Sequence, residues 1–204
     1  MKYSFYVANN QSAESCLNRI TFDSESKNGE VQLCDKLPQG VQFIAHNSVD
    51  KKVYAVIGSE KEDECILITY DYYQTKIHQI YQRRIKVHSA SYIYIDPTMR
   101  KAYLSDYLGS QFALIELDFK GIPKKGIQYF KLEGSGPVLE RQEKSHPHSI
   151  LIYKNNILFV PDLGSDCIWQ ILLEKDDSIG RTIENHVIPG SGPRHLCIAN
   201  KQRI

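Results

Sequence analysis

Apolar residues in this chain recur in short blocks, not at helical spacing. Three blocks carry an aromatic in the same place: Phe5-Tyr6-Val7, Val53-Tyr54-Ala55 and Ala102-Tyr103-Leu104, and Leu158-Phe159-Val160 makes a fourth. Their central aromatics are 48, 49 and 56 residues apart. A second series runs alongside them: Ile20-Thr21-Phe22-Asp23, Ile68-Thr69-Tyr70-Asp71, Ile115-Glu116-Leu117-Asp118 and Ile171-Leu172-Leu173-Glu174. Its spacings are 48, 47 and 56. Two independent markers keep step and stretch over the same interval, so the chain is an internal repeat.

A period in the high forties, filled with short strands, is the signature of β-propeller blades. The second repeat shows the four strands expected of one blade: Val41–Ala45, Lys52–Gly58, Cys65–Asp71 and a last one near His78–Arg84. The middle two are apolar on both faces, as sheets stacked between neighbours require. Polar turns at His46–Lys51, Asp96–Arg100 and Lys154–Asn156 separate first from second strands, and no stretch reads as a helix of three turns. The expectation is an all-β propeller of about four blades, at about 1–38, 39–87, 88–133 and 146–189, with a fifth begun at 193–204. Met1 leaves no room for a first strand in the first blade. At the other end, His195–Ala199 reads as a first strand, 200–203 as the following turn and Ile204 as the start of the next strand. The chain is therefore expected to be a fragment of a longer propeller. Its apolar end faces (strands such as Val53–Ile57 and Ile157–Val160, with Leu196–Ala199 as an unpaired edge) are expected to drive self-association.

Composition narrows the partners. With 25 basic and 24 acidic side chains in 204 residues, no bulk field draws the protein to nucleic acid or to a membrane surface. No run reaches the apolar length of a bilayer span, and the opening Met-Lys-Tyr-Ser-Phe-Tyr lacks a signal-peptide core. Cys16, Cys34, Cys65, Cys167 and Cys197 are odd in number, far apart and never in a C-x-x-C pair, which points to reduced thiols and a cytoplasmic protein.

The chemistry-bearing residues crowd into one region. It holds Gly134-Ser135-Gly136-Pro137, Glu140-Arg141-Gln142-Glu143 and His146-Pro147-His148-Ser149, then Val160-Pro161-Asp162-Leu163-Gly164-Ser165-Asp166, and finally Gly190-Ser191-Gly192-Pro193-Arg194-His195-Leu196. There is no Trp-Asp or Gly-His pair of the WD type and no Gly-Gly doublet of the kelch type. From Gly134 to Leu196 the chain resembles the seven-bladed propeller lactonase family, which holds the propeller-type 6-phosphogluconolactonases and the fungal carboxy-cis,cis-muconate cyclases. Upstream, Asp106-Tyr107-Leu108-Gly109-Ser110 resembles the family's N-Y-x-G-G with Asp in place of Asn. Seven blades at this period need roughly 330–350 residues.

The resemblance implies a cofactor-free enzyme, with no metal, that opens a sugar lactone such as 6-phosphogluconolactone in the oxidative pentose phosphate route. Such a reaction needs a base to take a proton from water and a cation to hold the developing oxyanion. The family's site histidine falls on His146 or His148 and its site arginine on Arg194; a family glutamate and a further arginine would lie beyond Ile204. Arg141, Asp106, Asp162 and His195 are expected to contact the small-molecule substrate. Activity in a chain with about half of the site is expected to be impaired.

Other readings of the same residues stay open. The cyclase reaction uses His and Arg equally well, and a propeller fragment without catalysis would need neither. A His-Pro-His turn can be structural, Asp162 and Asp166 can shape a strand turn, and Arg141 can pair with Glu140 or Glu143. Gln82–Lys86 reads as a solvated outer strand, Glu60–Glu64 as an acidic hairpin tip, and Trp169 as packing between blades.

Overall fold

The computed structural model describes residues 1–11, 14–37, 40–59, 63–73, 76–154 and 156–199. The turn at 200–203, the strand start at Ile204, Asn155 and most of the acidic tip at 60–62 lie outside the described residues. Two compact units divide the chain, residues 1–86 and 87–204.

The first unit holds two antiparallel sheets. One is β1 (Lys2–Gln11), β2 (Glu14–Asp23) and β3 (Asn28–Leu37); the other is β4 (Val41–Asn47), β5 (Lys52–Gly58), β6 (Cys65–Tyr73) and β7 (Lys76–Ile85). The second unit holds β8 (Ala90–Asp96), β9 (Lys101–Asp106), β10 (Gln111–Leu117) and β11 (Pro123–Lys131). A one-turn helix α1 (Leu139–Gln142) follows, then β12 (Leu151–Tyr153), β13 (Ile157–Asp162), β14 (Cys167–Leu173) and β15 (Ile179–His186). Each strand pairs with the next in sequence, so every sheet is a meander. The fold is all-β, built of repeated sheets, and among the described residues no helix is long and apolar enough to cross a membrane.

The two sequence markers are cross-strand neighbours. Phe5 faces Ile20, Ala55 faces Ile68, Ala102 faces Ile115 and Leu158 faces Ile171. Antiparallel pairing fixes the partner of each residue, and this is why both series stretch together. The turns repeat as well. Asn47 Oδ1 accepts the amides of Val49 and Asp50, and Asp96 Oδ1 accepts those of Thr98 and Met99. Each turn ends on a basic residue in the left-handed region, Lys51 at φ 53° and Arg100 at φ 55°.

Burial grades from inner to outer strands. The strands β5, β9 and β10 are buried along nearly their whole length, while β7, β11 and β15 are mostly exposed. In the first unit Leu17 packs with Val53, Ala55, Ile57 and Ile68. In the second, Tyr103, Phe112 and Leu114 of one sheet pack with Leu158, Trp169 and Ile171 of the next. Trp169 thus packs between sheets as expected, and its indole also donates to Asp162 Oδ2 at 3.1 Å.

Two expectations about exposed apolar surface need correction. Val53–Ile57 is wholly buried, and Leu158 and Val160 are buried too. The first sheet exposes apolar surface instead, at Phe5 (52% exposed), Val31 (66%) and their neighbours. The segment Leu196–Ala199 joins no strand pairing. It lines a cleft of about 370 Å³ with Tyr153, Phe159 and Ile168 of the preceding sheet.

Candidate functional site

The site lies in the second unit, where the loops entering two sheets meet the chain beyond β15. Asp106 and Asp162 build its floor. Each ends the second strand of its sheet and each is fully buried. Asp106 Oδ1 accepts the amides of His88, Ser89 and Gly109, each at 3.0 Å, while Oδ2 accepts Gln111 Nε2 at 2.8 Å. Asp162 Oδ1 accepts the amides of His146 at 2.6 Å and Gly164 at 3.0 Å, while Oδ2 accepts the Ser145 hydroxyl at 2.6 Å. A buried carboxylate is stable only when its oxygens are satisfied in this way. Both were expected to contact substrate; the structure places them beneath the loops, with their oxygens committed to loop groups. Gly164 is required here, because a Cβ would overlap the carbonyl oxygen of Lys144.

The two candidate histidines have different surroundings. His146 is 2% exposed and stacks on Tyr107, with ring centroids 4.3 Å apart and planes 19° apart. Its Nδ1 lies 2.8 Å from the Tyr107 carbonyl oxygen and its Nε2 3.1 Å from Glu143 Oε1. Both partners are acceptors, so both ring nitrogens are turned to protein groups. The bond from His146 holds the Glu143 carboxyl below the usual carboxylate range. Glu143 is thereby engaged by His146 and not by Arg141.

His148 donates its backbone amide to the Pro161 carbonyl, but its ring Nδ1 is buried and has no hydrogen-bond partner. The ring meets Tyr107 edge-on at 6.0 Å and His195 edge-on at 5.0 Å; His195 in turn meets Tyr92 at 6.2 Å. Burial pushes the His148 imidazole below its ordinary value, and the nearby His195, Arg194 and Arg141 push it further the same way. A base that stays neutral at pH 7 is what general-base chemistry asks for.

Arg141, on α1, and Arg194, beyond Gly192, line one open cleft of about 230 Å³ with Gln142, Leu163 and Gly190. The loop carrying Arg194 is pinned twice. Ser149 Oγ donates to the Arg194 carbonyl at 2.7 Å, and Asp166 accepts the amides of Gly190 at 2.5 Å and Gly192 at 2.8 Å. Gly190 and Gly192 have φ of 83° and 53°, which glycine adopts without strain. Burial raises the Asp166 carboxyl, yet the amides of Gly190, Gly192 and Ser191 with the Gln142 side chain outweigh it and hold the group below its ordinary value.

The structure therefore gathers His148, His195, Arg194 and Arg141 at one place, sets His146 beside them as a packed ring, and leaves Asp106 and Asp162 below. Sequence reasoning gave no role to Tyr107 or Tyr92, which frame the histidines. Tyr107 stood inside the Asp106–Ser110 motif, while Tyr92 carries no marker.

Residues 4–204 match the family described as "Lactonase, 7-bladed beta-propeller". A 6-phosphogluconolactonase of Formosa agariphila is 29% identical over 184 residues, covering 86% of this chain and 52% of that protein. A 6-phosphogluconolactonase of Buchnera aphidicola is 26% identical over 200 residues, covering 96% of this chain and 54% of that protein. Among solved structures, a periplasmic gluconolactonase of Pseudomonas aeruginosa superposes with a TM-score of 0.78 at 17% identity, over 96% of this chain and 58% of that one. The chain spans about half the length of the curated relatives it matches. Four sheets in repeat, the motifs from Gly134 to Leu196 and a family match across nearly all residues lead to one conclusion: the chain belongs to the seven-bladed β-propeller lactonase family.

Proposed function

We propose that this protein opens a sugar lactone by water attack, with 6-phosphogluconolactone as substrate and 6-phosphogluconate as product, in the oxidative pentose phosphate route. One observation carries the reading. A half-buried imidazole, His148, whose Nδ1 has no hydrogen-bond partner, sits beside a cleft lined by two guanidiniums, Arg141 and Arg194. In this reading neutral His148 takes the proton of the attacking water. Arg194 and Arg141 hold the phosphate of the substrate between them, which sets the lactone carbonyl against that water. His146 keeps Tyr107 and the loop in place. The names of the relatives from Formosa and Buchnera support the substrate. The five cysteines, none of them in a disulfide, suit work in the reducing cytoplasm.

The test is an assay with freshly prepared 6-phosphogluconolactone, coupled to 6-phosphogluconate dehydrogenase, with spontaneous opening subtracted. Acceleration that disappears in His148→Asn and survives in His146→Asn is the expected result. No acceleration, or equal loss in both variants, would overturn the assignment of the base.

A further inference from the structure

The two guanidiniums of the cleft stand on separate pieces of chain, and one buried pair of side chains ties those pieces together. Asp166 is 5% exposed and Gln142 is 2% exposed. Asp166 Oδ1 accepts both Gln142 Nε2 and the Gly192 amide at 2.8 Å, and Oδ2 accepts the Gly190 amide. Gln142 Nε2 also donates to the Leu163 carbonyl at 2.8 Å, and its Oε1 accepts the Val138 amide at 3.0 Å. Arg141 is the residue before Gln142, and Arg194 stands two residues after Gly192. The helix that carries Arg141 has four residues and no side-chain cap. A helix of one turn does not persist by its own hydrogen bonds, so Gln142 is what anchors it. Asp166 in turn accepts two amides of the Gly190–Gly192 loop.

We infer that Asp166 and Gln142 are positioning residues that fix the spacing of Arg141 and Arg194, and so select a lactone bearing a phosphate dianion over an uncharged one. The inference rests on the lactonase reading for its substrate. A dianion gains from two guanidiniums held at a set distance, whereas a neutral lactone has no second charge for them to bind. Loosening the clasp therefore penalises the phosphorylated substrate selectively. Asp166→Asn turns an NH2 donor towards groups that are themselves donors. Gln142→Met keeps the side-chain volume and removes the hydrogen bonds of the side-chain amide, leaving those of the backbone.

The experiment titrates the protein and both variants with inorganic phosphate by calorimetry, then measures kcat and KM for 6-phosphogluconolactone and for glucono-δ-lactone. The expected result is phosphate binding weakened at least tenfold in both variants. KM for the phosphorylated lactone rises by a similar factor, kcat changes less than threefold, and KM for glucono-δ-lactone stays within twofold. A purely structural role would instead lower kcat for both lactones through loss of active protein, with KM unmoved. Unchanged phosphate binding in Gln142→Met, no phosphate binding by the parent protein, or equal rises in KM for both lactones would overturn the inference. A parent protein that binds phosphate, loses it in the variants and opens no lactone would overturn the lactonase reading while upholding the clasp.

Discussion

The imidazoles of His148 and His195 meet edge to face, with their ring centres 5.0 Å apart. Burial depresses the His148 value most, and His195, Arg194 and Arg141 add to it, because a second cation nearby disfavours protonation. The neutral ring is the active form, so lactone opening is expected to rise with pH through a midpoint below about 6.5 and then level off. Removing a cation moves that midpoint up. In Arg194→Met the His148 ring is expected to titrate at a higher pH, as followed by its carbon-bound proton in an NMR titration. A midpoint that stays put or falls would show that the guanidinium does not reach the ring.

Arg194→Lys keeps the charge and removes the planar fork. The expected outcome is a fall in kcat/KM for 6-phosphogluconolactone on the order of a hundredfold. Near-normal turnover would take Arg194 out of the mechanism.

Asp162 is expected to act on stability before it acts on substrate. Asp162→Ala leaves the Ser145 hydroxyl, the Trp169 indole and the His146 and Gly164 amides without their acceptor. Each buried donor left unpaired costs about 1–3 kcal/mol, so a loss of at least about 3 kcal/mol is expected. Urea unfolding followed by the fluorescence of Trp169 measures it. Normal stability with a raised KM would restore Asp162 as a substrate contact.

Self-association is expected through the first sheet. On its outer face Phe5, Ile20 and Val31 form one cross-strand row, and Tyr3 with Phe22 forms the next. Exposed apolar patches of several hundred Å² rarely stay uncovered in soluble proteins. Size-exclusion chromatography with light scattering is expected to give a mass above the 23.4 kDa of one chain, falling towards it in a Phe5→Lys, Val31→Glu variant. A monodisperse monomer before substitution would refute this.

Much of the fold was legible because antiparallel pairing writes itself into sequence. Ala55 facing Ile68 and Leu158 facing Ile171 are the two marker series seen in space. The expected strand Lys52–Gly58 has the same bounds in the structure. The segment Leu196–Ala199, expected as an unpaired edge, joins no strand pairing in the structure. In the site, sequence motifs located His148, His195 and Arg194 together. They did not distinguish His146 from His148, since that difference lies in which groups surround each ring. They also did not separate a loop-tying aspartate from a substrate-binding one, because a buried carboxylate satisfied by amides has the same letter as one open to a ligand.

Asp106 and Asp162 stand 56 residues apart in equivalent places. Asp106 grips the amides of His88 and Ser89 just ahead of β8, and Asp162 grips Ser145 and His146 just ahead of β12. Each of these two sheets thus carries its own latch, and both halves of the latch sit within a single repeat. A tandem gene duplication copies latch and catch together, and the newcomer needs only an apolar face to lie against. Such a lineage can gain or shed whole sheets without reworking its joints, while the loops above the latch change independently and take on new substrates.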